Sequence, residues 1–311
     1  MAYDLKEINL KTVSDPVGFL EECEDSYSKK VEKAASLILK NRKKSPIVLL
    51  SGPSGSGKTT TAMRIADELT RQGLGTHYVS MDDYFLNVDP KTTPRTPEGD
   101  YDFESPLCLD AELLKKHFAQ LAAGERIYVP KYEFARGMRT VTPSKSIQLR
   151  PDEVIIFEGI HALNPAIIGQ RTGAFKLYIS ARSDVTMNGL PVFKRTWFRL
   201  VRRTVRDYNF RGSAPETTMA MWDNVRRGEK KYISPYKDSA DYRFDSSFPC
   251  ELPVFGEVAT KLFSDVPDGI DRFDELRQVL PALQLFGRID SELVSKKSLL
   301  REFIGGGEYE Y

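Results

Sequence analysis

A three-layer α/β fold around a doubly wound parallel sheet is predicted by three observations. The run Ile47-Val48-Leu49-Leu50 is apolar without alternation, as a strand covered on both faces requires. It leads through Gly52-Pro53-Ser54-Gly55-Ser56-Gly57-Lys58-Thr59 into a helical stripe of Ala62, Ile65, Ala66 and Leu69 that ends near Gly73. Further apolar runs at 77–81, 154–157 and 175–179 are separated by helical stretches, the pattern of strands joined by crossovers.

In chain order, residues 16–44 read as one helix, with Phe19, Leu20, Val31, Ala34, Ala35, Leu37 and Ile38 among charges, ending in a basic cluster before Pro46. After the glycine-rich loop and its helix, the second strand delivers Asp82-Asp83 at its carboxyl end, where α/β sheets place their chemistry. The polar stretch from Asp89 to Gly99 reads as a mobile loop. Leu113, Leu114, Phe118 and Leu121 mark a helix closed by Gly124. Phe193 to Tyr208 is a strongly basic helix, and Pro215 opens another through Trp222 and Val225. The last ~50 residues read as helical, with Gly305-Gly306-Gly307 as a flexible tail. The expected organisation is a helical lead-in over 1–45, a main domain over 46–262, and a helical extension over 263–311 packed on the core.

Composition narrows the function classes. The 45 Lys and Arg balance 44 Asp and Glu, so no global field recruits nucleic acid or an anionic membrane. No stretch of ~18 apolar residues and no leader pattern is found, so a soluble cytoplasmic protein is expected. Cys23, Cys108 and Cys250 lack metal-ligand spacing and read as buried or idle thiols. His77, His117 and His161 have no ligand-like spacing and read as structural or surface residues.

Gly52 to Thr59 matches the phosphate-binding loop of P-loop NTPases, between a strand and a helix as that motif demands. Its backbone N–H groups would curl around the phosphates of ATP, Lys58 would reach the β/γ oxygens, and the Thr59 hydroxyl, followed by Thr60, would meet Mg²⁺. Phosphoryl transfer then needs a carboxylate at the acceptor hydroxyl and another at the cation. Asp82 and Glu158 end two strands and fit these roles, with Asp83 as competitor for the first and helix capping as the plain alternative for either. Between Lys194 and Gly212 a single acid, Asp207, stands against many cations. Arg199, Arg202, Arg203 and Arg206 recur at helical spacing, which suits an Arg-rich lid over the triphosphate; a solvated face or an RNA-binding stripe are the alternatives.

Four motifs together resemble the uridine kinase and phosphoribulokinase family of P-loop kinases, over roughly residues 47–255. They are Gly52–Thr59; Ser80-Met81-Asp82-Asp83-Tyr84-Phe85; Phe157-Glu158-Gly159-Ile160; and the segment from Arg199 to Gly212. The resemblance implies a nucleoside 5′-kinase using ATP and Mg²⁺. Asp82 would be the base, Thr59, Glu158 and Asp82 would attend the cation, and Arg206 and Arg211 would close over the phosphates. It places Tyr84 with the substrate, Glu104 at the ribose hydroxyls, Tyr132 and Phe134 in the nucleoside pocket, and Arg203 at its border. Partners would be a small nucleoside, with no nucleic acid and no membrane, and a homo-oligomer is a form open to the family.

The C-terminal half, including Arg226–Glu229, Glu251–Val254 and Leu300–Gly306, resembles a bacterial nucleoside kinase subgroup that carries an N-terminal TGS-type domain. The sequence opens instead at the lead-in helix, without that domain, so the resemblance does not carry over any regulation attributed to it. Where pyrimidine kinases place polar residues that read the base, this chain has Gly137, Ser213 and Met221. Base choice is left open by these departures while ribose recognition stays intact. Two rival readings remain: a same-family kinase acting on a sugar phosphate or pantothenate-like hydroxyl, and a nucleotide-binding RNA-associated regulator. A GTPase switch is disfavoured because no Asn-Lys-X-Asp guanine-reading motif occurs.

Overall fold

The computed structural model describes residues 2–169, 173–267 and 273–310. The chain opens with β1 (Ala2–Asp4) and α1 (Leu5–Ser14), then α2 (Pro16–Asn41), β2 (Ile47–Ser51), α3 (Lys58–Arg71), β3 (Gly75–Ser80) and α4 (Ala111–Ala122). Four short strands follow, β4 (Ile127–Val129), β5 (Tyr132–Glu133), β6 (Met138–Arg139) and β7 (Lys145–Ile147). Next come β8 (Glu153–Glu158), α5 (Pro165–Ile168), β9 (Phe175–Ser180), β10 (Asp184–Met187), β11 (Leu190–Phe193), α6 (Arg195–Arg211) and α7 (Pro215–Gly228). The chain finishes with β12 (Tyr242–Asp245), α8 (Glu251–Ser264), α9 (Phe273–Leu283) and α10 (Arg301–Ile304).

Five parallel strands form the central sheet in the order β12-β9-β2-β8-β3. The chain passes from β2 to the edge at β3, returns through β8, and crosses β2 to build β9 and β12. That reversal makes β2 the switch point, where a crevice opens at the carboxyl ends. Every residue of β2 is buried, yet its faces still alternate: Val48 and Leu50 enter one core and Ile47 and Leu49 the other. The four expected strands are all present, and β12 is a fifth that its short mixed sequence concealed.

Three sequence expectations are corrected. The helix expected over 16–44 is present as α2, which starts at Pro16 behind an Asp15 cap accepting from the Gly18 N–H, but it stops at Asn41, and the lead-in before it holds a strand, β1, as well as a second helix, α1. β1 pairs with β10, and β10 with β11 across a two-residue turn at Asn188-Gly189, both at positive φ (52° and 79°), a hairpin geometry that matches strand twist. The final ~50 residues are not continuously helical, because after α9 only a single turn at Ser291–Leu293 and the short α10 are helical among the described residues. Helix α8 runs through the expected 262/263 boundary. Leu5 and Ile8 from the start, Phe255 and Phe263 from α8, and Leu299, Leu300 and Phe303 from the end all share one core with Val48 and Leu50. No helix among the described residues is long and apolar enough to cross a membrane.

Candidate active site

The phosphate loop leaves the central strand and enters α3 at Gly57, whose left-handed backbone (φ 78°) an L side chain would strain. A Cβ there would also lie 2.4 Å from a methyl of Leu299. Pro53 carbonyl accepts from the Ser56 N–H at 3.2 Å, which tightens the loop. Lys58 extends over it, with Nζ 3.5 Å from the Pro53 carbonyl and 3.6 Å from Glu158 Oε1.

Register explains how the two carboxylates meet. Ser80 at the end of β3 lies opposite Glu158 at the end of β8, so the turn after Ser80 sets Asp82 at the same level. Glu158 is 5% exposed and accepts from the Tyr78 hydroxyl at 3.1 Å. Burial pushes its carboxyl up, Lys58 opposes this, and Asp82 adds to it. Solvent reaches Asp82 through the crevice mouth, but enclosure by the crevice walls raises its carboxyl against the pull of Lys58 and Arg211. Two carboxylates facing one ammonium cannot both be fully stabilised, which favours a proton or a cation between them.

A cavity of about 620 Å³ unites Thr59, Asp82, Tyr132, Phe134, Glu158, Arg206 and Arg211 among its walls. Seven expected site residues thus meet in one place, and Lys58 reaches its edge through Glu158. Asp83 lines the cavity too, but its Oδ1 accepts from the Tyr132 N–H at 3.2 Å and pairs with Lys131 at 3.4 Å. It holds the aromatic wall, in which Phe85, Tyr132 and Phe134 contact one another edge-on or tilted.

Other expectations fall elsewhere. Tyr84 is fully buried, its hydroxyl 2.8 Å from His117 Nδ1, so it is a core residue and not part of the substrate surface. Burial also pushes the His117 imidazole down to about 4. Thr60 is buried behind the crevice lining, and its N–H and hydroxyl both donate to Glu302 Oε2, at 3.3 and 2.5 Å. Glu104 does not line the 620 Å³ cavity. Burial raises its carboxyl to about 7, opposed first by Arg203 and then by Lys58 and Arg199.

The basic helix does not present all its guanidiniums to a triphosphate. Arg199 Nε donates to the Ser54 carbonyl at 2.9 Å and Nη1 to Glu229 at 2.8 Å, while Arg203 Nη1 donates to Ser54 Oγ at 2.9 Å. Arg202 is wholly buried, bidentate to Glu251 at 2.5 and 3.0 Å, with a further bond to the Ser246 carbonyl. Helical spacing put these residues on neighbouring faces, but those faces pack on the phosphate loop and α8. Only Arg206 and Arg211 of this set reach the crevice, gathered by the buried Asp207, whose Oδ1 lies 2.8 and 3.6 Å from them.

Glu302, Arg301, Gly305–Gly307 and Tyr309 also line the crevice, and so do Lys131, Lys145 and Phe210. These were not expected. The glycines read as a flexible tail in sequence, and nothing local signals that a segment 240 residues downstream returns to the phosphate loop.

A family model described as the phosphoribulokinase / uridine kinase family matches residues 47–251. A uridine kinase of Macrococcus caseolyticus is 30% identical over 199 residues, covering 64% of this chain and 86% of that protein. One of Erwinia tasmaniensis is 31% identical over 199 residues, covering 63% and 84%, and one of Deinococcus deserti is 28% identical over 196 residues, covering 63% and 84%.

Proposed function

The chain belongs to the phosphoribulokinase / uridine kinase family, and from that premise we propose that it transfers the γ-phosphoryl group of ATP to the 5′-hydroxyl of a nucleoside. The observation that carries this is the meeting of Asp82 and Glu158, from adjacent strand ends, at Lys58 and Thr59 in one crevice. The relatives named as uridine kinases support a nucleoside as acceptor.

In this reading Asp82 accepts a hydrogen bond from the acceptor hydroxyl and takes its proton as the oxygen attacks phosphorus. A carboxyl raised above its ordinary value is better matched to that task. Lys58, Arg206 and Arg211 offset the charge that spreads over the γ-phosphoryl oxygens. Thr59, Glu158 and Asp82 are hard oxygen donors of the kind Mg²⁺ prefers. Phosphate oxygens of the triphosphate would complete the coordination of the cation. Once bound, Mg²⁺ would neutralise phosphate charge. Tyr132 and Phe134 give the nucleoside ring flat apolar walls, and Arg203, which holds Ser54, and Glu104, on which its charge acts, would meet the sugar hydroxyls. A second cavity of about 340 Å³ beyond the loop, walled by Pro53, Tyr178, Arg182, Arg195 and Arg243, receives the donor's base and ribose.

A second reading, an anionic hydroxyl acceptor such as a sugar phosphate, is favoured by Lys131 and Lys145 in the acceptor wall and by Gly137, Ser213 and Met221, which offer little to read a base. ADP release with ATP and Mg²⁺ against ribo- and deoxyribonucleosides, ribulose 5-phosphate and pantothenate separates the two. Acceptor-dependent release with a nucleoside is the expected result, and silence across all nucleosides would remove that assignment. Asp82→Asn should retain ATP binding and lose about 10²–10⁴-fold in turnover. Undiminished turnover would remove Asp82 from the role of base.

A further inference from the structure

Helix α3 begins at a residue that cannot cap it. Gly57 has no side chain, and the first-turn N–H groups of α3 need partners. The cap arrives from the other end of the chain: Glu302 Oε2 accepts from the Thr60 N–H, the bond an N-cap side chain ordinarily makes, and from the Thr60 hydroxyl. Leu299 fills the space where a Gly57 Cβ would stand.

From this anchor the chain turns into the crevice. Gly305 adopts φ 80°, and a Cβ there would meet the Phe210 ring of α6 at 3.0 Å. The Glu308 N–H donates to the Lys296 carbonyl at 3.0 Å, and the Tyr309 hydroxyl to Asp67 of α3 at 2.7 Å. Gly305–Gly307, Tyr309 and Glu310 therefore form one wall of the cavity whose other walls carry Asp82 and Tyr132. The matched family region ends at residue 251, so this wall is not part of it.

We propose that the C-terminal tail, residues 305–310, is a specificity-determining wall on the acceptor side of the crevice, docked by Glu302 and Tyr309, that admits compact hydroxyl compounds and narrows the solvent path to Asp82. This rests on the reading of the crevice as a phosphoryl-transfer site. Three successive glycines present backbone rather than side chains, so the wall selects by fit and by main-chain hydrogen bonds. Glu302 is a positioning residue, acting through Thr60 on the helix start that carries Lys58 and Thr59. Without the wall, water can take the acceptor's place. Its oxygen bonds to the γ-phosphorus, the bond from that phosphorus to the β–γ bridging oxygen breaks to give ADP, and its proton passes to Asp82.

The test compares the full chain with a version ending at Ile304, and with Tyr309→Phe and Glu302→Gln, which loosen the dock without removing chain should the shortened protein not fold. ATP·Mg²⁺ affinity by calorimetry checks that the donor site survives. The shortened protein should raise the acceptor KM about ten-fold or more, accept bulkier acceptors, and release ADP without acceptor several-fold faster. Unchanged acceptor KM, acceptor range and acceptor-free ADP release in a variant that still binds ATP would overturn the wall. If no nucleoside drives ADP release in the full chain, the nucleoside reading fails; a rise in acceptor-free release on shortening would still support the wall.

Discussion

The two halves of α6 both carry arginines and put them to different uses. Arg199 and Arg202, in the first half, are buried and tied to Glu229 and Glu251, and Arg199 also holds the Ser54 carbonyl. Arg206 and Arg211, in the second half, line the crevice and share Asp207. A guanidinium buried against one carboxylate is a structural strut. One bound to a shared carboxylate at a cavity wall keeps its remaining donors for an incoming anion.

The largest effect expected from this contrast is at the strut. Arg202→Ala leaves Glu251 charged and unpaired in the core, where burial already pushes its carboxyl up, and should cost about 3–5 kcal/mol by denaturant unfolding. An apolar pair, Arg202→Met with Glu251→Leu, should recover much of that loss; if it does not, the strut has a role beyond charge pairing. Next is the crevice half. Arg206→Ala should lower turnover about 10²–10³-fold, as removal of one preorganised charge donor does, with little change in unfolding midpoint. A variant that instead melts early at full specific activity would merge the two halves into one structural class.

The smallest effect lies at the boundary, where Glu104 is raised to about 7 from an ordinary 4.5 despite Arg203. The folded state then holds this proton more tightly than the unfolded chain does. Its contribution is complete below about pH 4.5 and is lost as pH rises through 7. Glu104→Gln stays neutral throughout, so it should melt near the wild type at pH 5 and above it at pH 8.5, by on the order of 1–3 kcal/mol. A gap that is largest at pH 5 would mean the Arg203 and Lys58 charges outweigh burial.

Much of the site was legible because its signals are local. The phosphate loop needs glycines, Lys58 and Thr59 in one unbroken stretch, and Asp82 and Glu158 announce themselves by ending apolar strands. The Asn188-Gly189 hairpin signal also stands in the sequence, but β11 contains Pro191 and reads poorly as a strand. Tyr84 sits inside a recognisable motif, and only its hydrogen bond to His117 places it in the core.

The amino-acid sequence by itself determined the parallel sheet, the phosphate loop and the pair of strand-end carboxylates, because hydrophobic runs, left-handed glycines and strand ends act within a few residues. The tertiary structure alone decided which arginines are struts, that Glu302 caps α3, and that the glycine tail walls the crevice. Each of those depends on a partner 30 to 240 residues away, and burial and charge pairing exist only once the fold has brought the two together.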